Sequence, residues 1–321
     1  MEIIKVILFD NKSGGNLQLG YLSKKLSNFS NKNNSLILIQ DKQIKIKNVL
    51  LLFKKLYELY FSNEDIKIIY SDPFLSFLEI LPYSKNIIRF VQSIDEELYN
   101  NHPKLLNIFQ FALNKLIKIF NSYGNNSIYV CSLLCSDYMK AYKRKVSFIK
   151  PTLSIKEYSK PNKNHGELNQ IISIMSNPEA KGISILNKIS LDFPELKFIV
   201  ITNKANLKME YPNITFKKNC SRNEIFKILN NALCHISCSS KESIGLPMYE
   251  AMACNIPSIF KLNQSNLFLL KNKLLYFQEY DREILNKFLK ICRDPYSRLE
   301  LICHQQEIIS KNFYIDFKNK Y

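Results

Sequence analysis

The sequence predicts an α/β chain built from two doubly wound, Rossmann-like domains that face a central cleft. Three observations predict it. Short apolar runs alternate with longer amphipathic segments from end to end, and this βαβα order implies parallel sheets covered on both faces. The alternation breaks once, over the polar, proline-containing stretch from Pro151 to Asn164, and then restarts, as a linker between domains would. The length, 321 residues, exceeds what one core ordinarily serves, since single cores stop growing near about 250–300 residues.

In the first half, Ile3–Phe9 reads as a strand, followed by the turn DNKSGGN and a helix from Leu17 to Ser27. Ser35–Gln40 is the next strand, and Val49–Phe61 a helix with apolar residues three and four apart. Ile66–Tyr70 and Ile87–Gln92 are strands with a short helix between them. His102–Asn121 is a long helix and Ser127–Cys131 a further strand. The domains are placed at residues 1–155 and 156–321. In the second, Gln170–Met175, Leu196–Thr202, Leu233–Cys238, Ser258–Leu262 and Leu274–Phe277 read as strands. Lys181–Leu191 is a helix. A capping box at Ser221-Arg222-Asn223-Glu224 opens another that runs to Asn231. Pro247–Cys254 is a helix with proline in its first turn and Asn255 as its stop. Helices over Asp281–Cys292 and Tyr296–Asn312 finish the chain. Ligands of such folds bind outside the carboxyl ends of the strands.

Composition narrows the function less. The formal charge is +17, with +9 on residues 1–155 and +8 on the rest. An excess spread in this way favours anionic partners in general: phosphorylated small molecules, an acidic membrane surface or nucleic acid. No recognised nucleic-acid module is visible, so nucleic acid is not the expected partner. The eight cysteines form no C-x-x-C pair. Cys131 and Cys135, and Cys234 and Cys238, are each four apart without a histidine at metal spacing, so free thiols of a reducing compartment are expected and no metal site is. His102 and His165 fall in loops, His304 is late in the chain, and His235 lies in an apolar strand as a structural residue. No apolar run reaches the roughly 20 residues of a spanning helix, and no signal peptide is evident, so a cytoplasmic protein is expected, with a peripheral contact to an anionic membrane compatible with the charge.

The segment that carries chemistry is SSKESIGLPMYEAMACNIPSI, Ser239 to Ile259. Gly245 lets the backbone turn closely past a ligand. Pro247 then starts a helix whose unpaired N–H groups and dipole suit a diphosphate. Glu242 lies on the loop before that helix, and Glu250 about one turn into it. The segment resembles the donor-binding motif of retaining family 4 glycosyltransferases, S-x-x-E-G-F-G-L-P-x-x-E-A-M-A-x-G-x-P. Glu242 and Glu250 bracket seven residues in that register, and GLP, EAMA and Pro257 match in place. Ser243, Ile244 and Asn255 depart from the motif, the last mildly, because asparagine tolerates left-handed backbone.

The resemblance implies the GT-B fold, with donor binding in the C-terminal domain and acceptor binding in the N-terminal one. It implies that Glu242 orients the sugar, that Glu250 accepts the ribose hydroxyls, and that Ile244, Gly245 and Leu246 line the donor. NPEAKG, Asn177–Gly182, resembles the family's R-x-x-x-E-K-G segment, so Lys181 would hold the donor phosphates. The family arginine is absent, with Met175 or Ser176 near its place, so either another basic residue substitutes, Arg222 being a candidate, or activity is reduced. Ser13-Gly14-Gly15-Asn16 resembles the glycine-rich loop that approaches donor and acceptor, and Gln92 stands where many relatives carry histidine. The final helix, over Lys311–Tyr321, is implied to cross back to the first domain. Asp95, Glu96 and Glu97 read as a solvated loop.

The expected function is metal-independent, retaining transfer of a sugar from a nucleotide-sugar donor, a substrate and not a cofactor, to an acceptor hydroxyl on a glycan, lipid or protein. Two rivals are weighed with it. One is a catalytically weakened GT-B protein that binds sugar nucleotides or nucleic acid without transfer. The other is a nucleotide-sugar epimerase or phosphorylase.

Overall fold

The computed structural model describes residues 2–7, 18–19, 22, 34–38, 46–61, 66–71, 75, 78, 86–92, 107–123, 127–154, 169–204, 211–269 and 275–316. Gly14, Gly15, Asn16, Asp95, Glu96, Glu97, His102 and His165 lie outside them. The chain divides into two compact units, Met1–Lys150 and Pro151–Tyr321.

The first unit holds a six-stranded parallel sheet. Its strands are β1 (Glu2–Ile7), β2 (Asn34–Leu38), β3 (Ile66–Tyr70), β4 (Ile87–Val91), β5 (Ser127–Val130) and β6 (Val146–Phe148), in the order β2-β1-β3-β4-β5-β6. Helices α1 (Ile46–Phe61), α2 (Asn107–Tyr123) and α3 (Leu133–Ala141) connect them. Every residue of β4 is buried, as expected of a central parallel strand covered on both faces. No periodic pattern in the sequence marks an element between Cys131 and Pro151. α3 occupies that interval, started by Ser132, whose Oγ accepts from the Cys135 N–H, and β6 follows it as an edge strand.

The second unit repeats the plan. Its strands are β8 (Gln170–Ile174), β9 (Lys197–Thr202), β10 (Ile214–Lys218), β11 (Cys234–Ser237), β12 (Ser258–Lys261) and β13 (Tyr276–Phe277), in the order β10-β9-β8-β11-β12-β13, all parallel. β10 is a strand that no apolar run in the sequence marks. It is a polar edge strand, and an edge needs no continuous apolar run. Helices α4 (Ile183–Asp192), α5 (Arg222–Asn230), α6 (Leu246–Ala253), α7 (Arg282–Arg293) and α8 (Pro295–Asn312) complete the unit. β8, first in sequence, lies beside β11, fourth in sequence, so the sheet reverses its winding between them. That is the switch point at which doubly wound sheets open a crevice.

A two-stranded parallel ladder joins β7 (Thr152–Ser154) to β14 (Tyr314–Asp316). Of the segment expected as a helix over 311–321, Lys311 and Asn312 end α8, Tyr314–Asp316 form β14, and 317–321 lie outside the described residues. Side chains anchor α8 on the second sheet: buried Arg298 donates to the Leu233 carbonyl at 2.6 Å, and Gln305 to the Ser258 carbonyl at 3.0 Å.

Candidate active site at the switch point of the second sheet

Two glycines shape this site. Gly182 caps α4 with φ +86°, and a Cβ there would sit 2.3 Å from the Cys238 carbonyl oxygen. The turn after β8 and the loop after β11 thus meet backbone to backbone, at a distance only glycine permits. Gly245 caps α6 with φ +75°, its Cα hydrogen side facing the Glu242 side chain. Between them, these turns bring two stretches separated by about sixty positions into contact.

Lys181 is the product of that contact. Its Nζ lies 2.8 Å from Glu242 Oε1 and donates to the Lys241 carbonyl at 3.2 Å. Both side chains are about three-quarters buried or more. An ammonium has three donors, so the two contacts leave one for an incoming anion. Ser239 Oγ donates to the same Lys241 carbonyl at 2.9 Å, and Asn263 Nδ2 donates to the Ser239 carbonyl at 3.1 Å. The loop is tied on both sides.

Glu250 lies on α6, one turn beyond its start. The Arg222 guanidinium meets its Oε1 at 2.8 Å. Arg222 opens α5 immediately after Ser221, whose capping box with Glu224 is complete. The cap therefore fixes the arginine that fixes the glutamate. Burial raises the Glu250 carboxyl above its ordinary value, and the Arg222 charge partly opposes this. Met175, near the place of the family arginine, is buried in the core, so that position supplies no charge to the site. Arg222 stands there instead, paired with Glu250. A partner 28 positions away along the chain leaves no local signal.

The far end of α6 is secured as well. Asn255 adopts φ +60°, its N–H donates to Met252 and the Ile256 N–H to Ala251, the two bonds of a Schellman ending. Gln306 Nε2 holds Asn255 Oδ1 at 2.8 Å. Asparagine thus serves where the motif has glycine, as expected. Ile244 is buried, and Gly245 and Leu246 are half-buried at the helix start.

Gln92 directly follows β4 in the first unit and donates through Nε2 to Ser71 Oγ at 2.8 Å. His235 is buried in β11, neither ring nitrogen has a hydrogen-bond partner, and burial lowers its pKa to about 4. It is a neutral core residue. Cys131, Cys135, Cys234 and Cys238 are buried free thiols. Among the described residues no group of three or more His, Cys, Asp or Glu side chains gathers as a metal site, and no helix is long and apolar enough to cross a membrane.

Residues 155–302 match the family model described as glycosyl transferases group 1. No curated protein matches the chain. Several solved structures share its fold at low identity. Sucrose-phosphate synthase from Thermosynechococcus elongatus aligns with TM-score 0.72 and 13% identity over 98% of this chain and 95% of that one. WaaG, a glycosyltransferase involved in lipopolysaccharide biosynthesis, aligns at 0.68 and 11% over 96% and 95%. Anabaena Alr3699/HepE, solved in complex with UDP-glucose, aligns at 0.68 and 12% over 98% and 96%. The fold is GT-B.

Proposed function

We propose that the chain is a retaining, metal-independent glycosyltransferase that moves a hexose from a nucleotide sugar to an acceptor hydroxyl. The matched family and the fold support sugar transfer. The observation that carries the reading is the convergence of Lys181, Glu242 and the start of α6 at the switch point. In this reading residues 151–321 are the donor domain and residues 1–150 the acceptor side, and the resemblance assigns Gln92, Gly15 and Asn16 to the donor as well.

The chemistry follows from placement. A diphosphate seated at the α6 start meets the N–H groups of Gly245 and Leu246 and the helix dipole. The third donor of Lys181 reaches the same oxygens. As the glycosidic bond breaks, negative charge grows on the leaving diphosphate, and a fixed ammonium stabilises that state more than the bound donor. Glu242, held by Lys181, orients the sugar hydroxyls. Glu250, held by Arg222, accepts the ribose hydroxyls as a carboxylate. Ile244, buried in the loop before α6, would line the donor as the resemblance implies. With retention, a donor phosphate oxygen takes the acceptor proton, so no protein base is required, and the neutral, buried His235 is not one.

The test is a panel of nucleotide sugars screened by thermal stabilisation and then by release of nucleoside diphosphate with transfer. A ligand at 100 times its dissociation constant adds about 2.7 kcal/mol. Glu250→Ala should abolish the stabilisation while leaving the unliganded melting point nearly unchanged. A panel with no stabilising nucleotide sugar would overturn the reading. Binding without release of nucleoside diphosphate would favour the second reading, a weakened GT-B binder, which the buried Met175 in place of the family arginine supports. A changed sugar without release would indicate an epimerase.

A further inference from the structure

Among the described residues, most of the large apolar side chains that are exposed lie on two helices of the first unit. On α1, Leu50, Phe53, Tyr57 and Phe61 are each more than 60% exposed, although Leu52 and Leu56 on the opposite side are buried. Four large apolar residues at spacings of three and four make one continuous row, and the Tyr57 and Phe61 rings lie 4.4 Å apart. On α2, Ile119 and Tyr123 stand out in the same way. A helix whose outer row is as apolar as its inner one is normally covered on both sides.

The two helices cover the same face of the sheet. Leu52 and Leu56 of α1 share a core cluster with Tyr70 of β3 and Ile87 of β4. Tyr70 is in register with Arg89, which shares the face of Ile87 because strand side chains alternate. Arg89 donates to Asn121 of α2 at 2.5 Å. Both exposed rows therefore look outward from one face.

Charge selects the occupant. α1 carries three lysines and one glutamate, and α2 two lysines and no acid. Lys54 is exposed within the apolar row, four residues after Leu50 and three before Tyr57, and Lys115 and Lys118 are exposed on α2. Residues 1–155 as a whole carry +9. A second copy of this face would oppose lysine to lysine. An acidic lipid surface instead receives rings and aliphatic chains below the headgroups and lysines at the phosphates.

We propose that this α1–α2 face docks on an anionic lipid bilayer. The proposal does not rest on the sugar-nucleotide reading. Purified chain should co-sediment with phosphatidylcholine vesicles containing phosphatidylglycerol and far less with phosphatidylcholine alone. Replacing Phe53, Tyr57 and Phe61 together by serine should abolish sedimentation, and the exposed positions should leave the melting point and nucleotide binding intact. Lys54→Ala should lower partitioning about fivefold, and added salt should reduce the wild type in the same direction. Wild-type chain that ignores anionic vesicles, or a triple-serine variant that binds them like wild type, would overturn the proposal. So would a wild-type dimer that the triple-serine variant dissolves, which would assign the face to a second copy.

Discussion

Replacing Arg222 by methionine removes the charge and keeps most of the volume. The 2.8 Å pair with Glu250 is one-fifth to one-third exposed, so screening limits its contribution to stability to about 1 kcal/mol. The variant should fold, since domains hold about 5–15 kcal/mol in reserve. The larger effect is on Glu250. Burial already raises its pKa, and Arg222 opposes the rise, so the variant's pKa should rise further. Two trends of opposite sign follow. The folded state binds this proton more tightly than the unfolded state does. Stability from Glu250 is therefore greatest below the unfolded carboxyl value and declines as pH rises to the folded value. In the proposed role Glu250 accepts the ribose hydroxyls as a carboxylate, so nucleotide affinity should fall as pH drops through that raised value. In Arg222→Met both transitions should move to higher pH, and nucleoside diphosphate affinity near neutrality should fall by about tenfold, or about 1.4 kcal/mol. Calorimetric titrations across pH, beside thermal melts of the unliganded chain, measure both. Arg222→Lys should restore part of the affinity. Affinity–pH curves that superimpose for wild type and Arg222→Met would refute the argument.

Lys181→Ala should slow transfer by about a hundredfold or more while weakening donor binding far less, because the charge it meets grows in the transition state; single-turnover rates beside calorimetry separate the two. Gly182→Ala must place a Cβ 2.3 Å from the Cys238 carbonyl at positive φ, so the melting temperature should fall by several degrees and donor binding with it; an unchanged melt would mean the two loops do not meet as described. His235 stays neutral in the fold to about pH 4 while the unfolded chain protonates near 6.5, so its contribution to stability is lost as pH falls between those values, by up to about 3 kcal/mol; urea titrations of wild type and His235→Leu should show the variant with the shallower acid slope.

Much of the second unit was legible because its rules are local. The capping box at Ser221, the helix from Pro247 and the asparagine stop at 255 each involve residues within one or two turns. Side-chain reach and backbone dihedrals there are fixed by spacing alone. The motif from Ser239 to Pro257 joined several such rules in a row, and this is why it could be read without a structure. β10, α3 and β6 escaped, because a polar edge strand and a short helix carry little periodicity.

The sequence by itself determined the βαβα order and the loop and helix start at Gly245. Only the tertiary structure decided which charges stand there. Sheet order sets β8 beside β11 and so delivers Lys181 to Glu242, across sixty intervening positions. Winding in the other direction carries β10 to the edge and its following helix to Glu250, which gives Arg222 its partner. The same periodicity that marked Val49–Phe61 as a helix could not tell its inner row from its outer one, since both are apolar. Burial depends on what lies opposite a face, and the chain supplies that only once the sheet has formed.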